Sequence, residues 1–115
     1  MEVYHQGDLL IVPVNEKPVG EHAEDKTGVI LEGEVTGHQH MTRYAPLMRA
    51  NKILNEGNDY YAGYIEAEKE VPIEHLNRGT LTPTGDHKII EVPAQFHKFY
   101  AQREWDELEA IRARD

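Results

Sequence analysis

His38 and His40 are the residues of this 115-residue chain best suited to chemistry. In an extended segment residues two apart point to the same face, so the pair offers two imidazoles to one ion while Gln39 turns away. Neutral imidazole is the commonest protein ligand for transition metals, and an open site needs about three protein ligands with a further position for water or substrate. A third ligand must come from elsewhere. His87 is the first candidate because it opens a later predicted strand, and Glu91 shares its strand parity as a carboxylate ligand or base. His97 follows, and Glu34 shares the parity of His38 as a ligand or supporting partner. His5, His22 and His75 rank lower: the first is terminal, the second lies in a charged loop and the third sits beside a predicted turn. The competing interpretation is that seven His merely decorate a surface, with His38 and His40 capping a turn.

Arg43, Arg49 and Lys52 follow the His pair in a stretch without acids, and a lid carrying them would hold a small anionic ligand, phosphate or carboxylate. The plainer alternative is a solvated helix face. Tyr60, Tyr61 and Tyr64 would stack on a ligand ring or pack as ordinary strand tyrosines. No G-x-S-x-G, P-loop, dinucleotide fingerprint or H-E-x-x-H occurs. Ser and Cys are both absent, which removes the two usual nucleophiles, disulfides and thiolate metal sites. No catalytic residue is assigned, and any metal must be held by imidazole and carboxylate.

The elements that must position these groups read as strands. Residues 8–14 form a continuous apolar run expected to be buried on both faces, with Pro13 at an edge or bulge. Residues 15–26 read as a surface loop. Residues 27–40 read as one extended region interrupted at Gly33 and Gly37 by a bulge or a close backbone approach. Leu47, Met48, Ile53 and Leu54 predict a short helix within residues 42–58, with Pro46 in its first turn. Further strands are expected at 60–67, 71–76, 87–93 and 96–100, with a turn cluster at 77–85, giving about six or seven strands in all. Trp105, Leu108 and Ile111, with early acids and late Arg112 and Arg114, predict a C-terminal helix over residues 103–114 that docks on the sheet or on a second copy of the chain.

The length fits one domain, residues 1–115. Twelve Lys plus Arg against 21 Asp plus Glu leave a net charge of -9, which opposes nonspecific attraction to nucleic acid or anionic membranes. No stretch approaches the ~20 apolar residues of a membrane span, and the opening residues lack the pattern of a secretory signal, so the expectation is cytoplasmic.

The segment Gly33-Glu34-Val35-Thr36-Gly37-His38-Gln39-His40, together with Asp86-His87 and Gln102-Arg103-Glu104-Trp105, resembles small uncharacterised bacterial and phage proteins with a G-E-V-T-G-H-x-H segment, an H-x-x-H segment and a C-terminal Q-R-E-[YW] segment. That pattern implies a further His where this chain has Thr84, and it carries no established activity. A looser likeness is to cupins, which implies a small β-barrel holding a metal through an H-x-H pair, a carboxylate and a later His. The carboxylate shortly after the pair is missing here, since residues 41–55 contain no acid.

The combined expectation is a mainly β domain, a small antiparallel cupin-like barrel or sandwich with a short inserted helix and a C-terminal helix. It would bind a divalent metal ion through His38, His40, His87 and Glu91, with Arg43, Arg49 and Lys52 at an anion. A second expectation is a non-catalytic phage or bacterial accessory protein that sequesters a small ligand or blocks a protein partner. A third is a homo-oligomer assembled through the C-terminal helix.

Overall fold

A computed structural model of the chain describes residues 2–33, 35–57 and 59–102. They form ten strands: β1 (Tyr4–Gln6), β2 (Leu9–Val14), β3 (His22–Asp25), β4 (Val29–Glu32), β5 (His38–Thr42), β6 (Leu47–Glu56), β7 (Asp59–Ala67), β8 (Val71–Asn77), β9 (Ile90–Val92) and β10 (Gln95–Gln102). All pairings are antiparallel and make two sheets, β1-β2-β10-β7-β6-β3 and β4-β5-β8-β9. The protein is therefore mainly β, as its short apolar runs between turn residues indicate. Neither sheet returns to its first strand, so the barrel alternative is corrected: among the described residues no barrel closes.

The core joins the sheets. Leu9, Ile11, Leu47, Ile65 and Phe99 from the larger sheet and Ile30, Val71, Ile73 and Val92 from the smaller belong to one buried cluster. Each such side chain contributes roughly 1.5–3 kcal/mol by leaving water. On β2 burial alternates, with Leu9, Ile11 and Pro13 inward and their neighbours half-buried, rather than being complete on both faces. Pro13 lies past the last residue paired with β1, at Tyr4↔Ile11, so its missing donor falls where one side of the strand is open.

Three local expectations are corrected. Residues 27–40 are a hairpin rather than one bulged strand: Leu31 pairs with His40, Gly33 N–H donates to His38 O at 2.8 Å, and Gly37 takes a φ of +89° in the turn. The predicted inserted helix is strand β6. Its apolar spacing imitates a helical period because the pairing with β7 shifts register between Arg49 and Leu54, breaking strict alternation. The charged segment 15–26 contains β3, a short polar edge strand beside β6, a usual protection for a sheet edge. The predicted C-terminal helix and its oligomer contact, the Arg103-Glu104-Trp105 segment and Glu34 lie outside the described residues. Among the described residues no helix is long and apolar enough to cross a membrane.

Candidate functional site

Strand β5 places His38 and His40 on one face, and its register with β8 sets His40 directly opposite His75 and Thr42 opposite Ile73. Because Ile73 belongs to the core, this face looks inward. His40 and His75 are 1% and 4% exposed, and the side chain of His38 is 18% exposed. His87 completes the group from the loop between β8 and β9. β9 begins only at Ile90, so His87 does not open a strand as expected. That loop folds back along β8: Leu76 bridges to Pro83, and Thr84 N–H donates to His75 O at 3.1 Å.

The result is a cluster of four imidazoles. Ring centroids are 4.7 Å apart for His40 and His75, 4.8 Å for His75 and His87, 5.3 Å for His38 and His75, and 6.3 Å for His40 and His87. Two glycines make room for them. A Cβ at Gly7, where φ is +59°, would stand 2.7 Å from His87 Nε2, and one at Gly33 would stand 3.0 Å from His75 Nε2.

The rings are held from behind. Gln6, 2% exposed at the end of β1, donates its amide N–H groups to Ile73 O and Lys88 O, both at 2.9 Å. Its Oε1 can then only accept, and it receives His40 Nδ1–H at 2.8 Å. His75 Nδ1 meets Thr84 Oγ1 at 2.6 Å, so the position where the resembled pattern has a further His supports His75 with a hydroxyl. His40 Nε2 faces Asp8 Oδ1 at 3.1 Å. His38 Nδ1 lies 3.1 Å from Asp86 Oδ2 without making a hydrogen bond.

Burial, reinforced by His40, His87 and His38 and opposed by Asp86, pulls the pKa of His75 down to about 4. His75 is consequently neutral at pH 7 and keeps a lone pair. A neutral imidazole with one nitrogen occupied by a supporting partner is the form that binds transition metals. As placed, no group of three or more His, Asp or Glu side chains among the described residues is arranged to hold a metal ion.

The other candidates are dispersed. Glu91 pairs with Pro72 while Ile90 pairs with Ile73, so Glu91 is exposed on the face opposite the imidazoles. Arg43 forms a two-point ion pair with Glu74, both bonds at 2.8 Å. Arg49 binds Asp25 at 2.8 Å and the carbonyl of Val29. Lys52 is exposed on β6 in the other sheet. These three therefore do not gather around the His pair. His97 is fully buried on β10, donating Nε2–H to Pro93 O at 2.8 Å, and burial lowers its pKa. His5 is exposed on β1, and His22 Nε2 accepts from Tyr61 at 2.7 Å while its ring packs edge-on against Tyr64. Tyr61 and Tyr64 are thus buried packing residues of β7.

Sequence reasoning ranked His75 too low and did not reach Gln6 or Asp8. His75 had a readable signal, since it alternates with Val71 and Ile73 along one strand face. Gln6 and Asp8 stand 34 and 32 residues before His40 in the chain, with nothing local to connect them.

No curated protein and no solved structure matches this chain. A family profile does match residues 5–97, a span that takes in β2 to β9, all four clustered His and their neighbours Gln6, Asp8, Thr84 and Asp86. The chain therefore belongs to the family described as a domain of unknown function, DUF8820.

Proposed function

We propose that this domain binds a divalent transition-metal ion through His38, His40, His75 and His87. The observation that carries this is the spacing of the four rings. With a metal–nitrogen distance of about 2.1 Å the ion lies about 3.2 Å from each ring centroid, so ligand rings stand about 4.5 Å apart at right angles and about 5.2 Å apart in a tetrahedron. The three separations from His75 run from 4.7 to 5.3 Å, close to this range, while His40 and His87 stand 6.3 Å apart. A bound metal ion would draw these rings onto one centre, His87 moving in from its loop. The set differs from the sequence expectation in taking His75 in place of Glu91. A nitrogen-rich site of this kind suits Zn, Cu, Ni or Fe better than Mg or Ca. Two packed sheets, as in a β-sandwich, would keep the ligands rigid.

The test is metal analysis of the full chain purified without a His tag, followed by zinc titration. One equivalent of bound metal, removed by chelator and lost in a His40→Ala, His75→Ala double variant, is expected. Metal-free protein that takes up no zinc, and whose melting temperature is the same in zinc and in chelator, overturns the proposal.

A further inference from the structure

The Gln6 amide has only one sensible orientation. Flipping it would aim its oxygen at the carbonyls of Ile73 and Lys88, which now receive its two N–H groups. The His40 proton is thereby assigned to Nδ1, which donates to Gln6 Oε1. His40 then aims Nε2 at the carboxylate of Asp8, 3.1 Å away. A metal ion placed between these two atoms would be bound by both, since imidazole nitrogen and carboxylate oxygen are each metal donors.

We propose that Asp8 is a ligand of the same ion, so that the ion fastens the β1–β2 turn of one sheet to β5 and β8 of the other. This rests on the metal-binding function proposed above. Two donor atoms each about 2.1 Å from one metal are about 3.0 Å apart at a right angle and about 3.4 Å apart at the tetrahedral angle. The observed 3.1 Å falls between. Asp8 is placed for the task by its turn: Gly7, the preceding residue, leaves no room for a Cβ against the His87 ring, so the turn is pressed onto the cluster. Asp8 is also partly shielded, its side chain 20% exposed, whereas that of Asp86 is 51% exposed. The carboxylate that the sequence placed at Glu91 would thus be supplied from near the N-terminus and from the other sheet. Because the ligands then belong to both sheets, bound metal resists their separation.

The experiment compares untagged wild type with Asp8→Asn, which keeps the shape and an acceptor oxygen but removes the charge. Zinc affinity by calorimetry, the absorption spectrum of the cobalt form, and the rise in melting temperature between chelator and zinc are measured for each. Zinc affinity should fall at least about tenfold in Asp8→Asn, with a changed cobalt spectrum and a smaller zinc-induced rise. Each variant is referred to its own chelated form, so a folding defect is not mistaken for lost binding. Equal affinity and an identical cobalt spectrum overturn the role of Asp8 while leaving the four-His site standing. Absence of zinc binding by wild type overturns both, and makes His40 and Asp8 an ordinary imidazolium–carboxylate pair. Should Asp8→Asn fail to fold, Asp8→Ser is judged by the same two outcomes.

Discussion

Acidifying the metal-free protein should destabilise it well before its carboxylates titrate. In the folded chain burial holds the His75 pKa at about 4, whereas in the unfolded chain the same imidazole binds a proton at its ordinary 6.5. The sign follows from that order: as the pH falls below about 6.5 the unfolded state takes up a proton that the folded state refuses, so stability drops. At ~1.36 kcal/mol per pH unit the loss is about 3 kcal/mol once pH 4 is reached, and this contribution then levels off. The figure is large beside a typical domain stability of about 5–15 kcal/mol. His97, also depressed by burial, acts in the same direction. Asp25, whose pKa is lowered chiefly by its bond from Thr27, loses its stabilisation only below its ordinary 3.8, outside this window. The assay is urea unfolding in chelator at half-unit steps from pH 7.5 to 4.5, for wild type and for His75→Gln. The variant should lose one proton's worth of slope. An unchanged slope in the variant, or flat stability in wild type, refutes the assignment of a buried neutral His75.

Other perturbations follow from the same contacts. Gly63→Ala would set a Cβ 2.3 Å from the carbonyl oxygen of Met48 at a φ of +149°, and should cost more than about 3 kcal/mol in thermal unfolding. Gly33→Ala meets His75 Nε2 and the His38 Cβ, so zinc affinity should fall several-fold while the melting temperature in chelator changes little. Arg43→Met leaves the buried Glu74 carboxylate without its partner and should cost about 2 kcal/mol, a figure reduced because the guanidinium is partly solvated; Glu74→Gln should cost less, as urea titrations will show. Gln6→Leu removes the acceptor for His40 and the donors to the buried carbonyl of Ile73 and the part-buried one of Lys88, and should cost about 2–4 kcal/mol by the same assay.

The sequence carried the β class because short apolar runs between turn residues leave little choice of architecture. It carried His38 and His40 as a facing pair because strand parity is a local property. The hairpin at residues 33–37 was harder to read, since Gly33 and Gly37 fit a bulge as well as a turn until a partner for Leu31 is known. β6 was misread because its register shift replaces alternation with a spacing that a helix would share. What no local pattern contains is the docking of one sheet on the other. That docking brings Gln6 and Asp8 to His40, turns Glu91 away, and commits Arg43 and Arg49 to Glu74 and Asp25.

The His40–His75 pair faces across neighbouring antiparallel strands, so its separation is dictated by the spacing of about 4.7–4.9 Å between strands rather than by any loop. That half of the cluster is transplantable: two histidines written into opposed positions of an unrelated antiparallel sheet inherit the same geometry. His87 is not, because its place depends on a loop lying back along β8 and on a glycine in another sheet that yields to its ring. In a grafted copy the strand pair would arrive ready-made, and the work of selecting one metal over another would fall to whatever host loop stood above it.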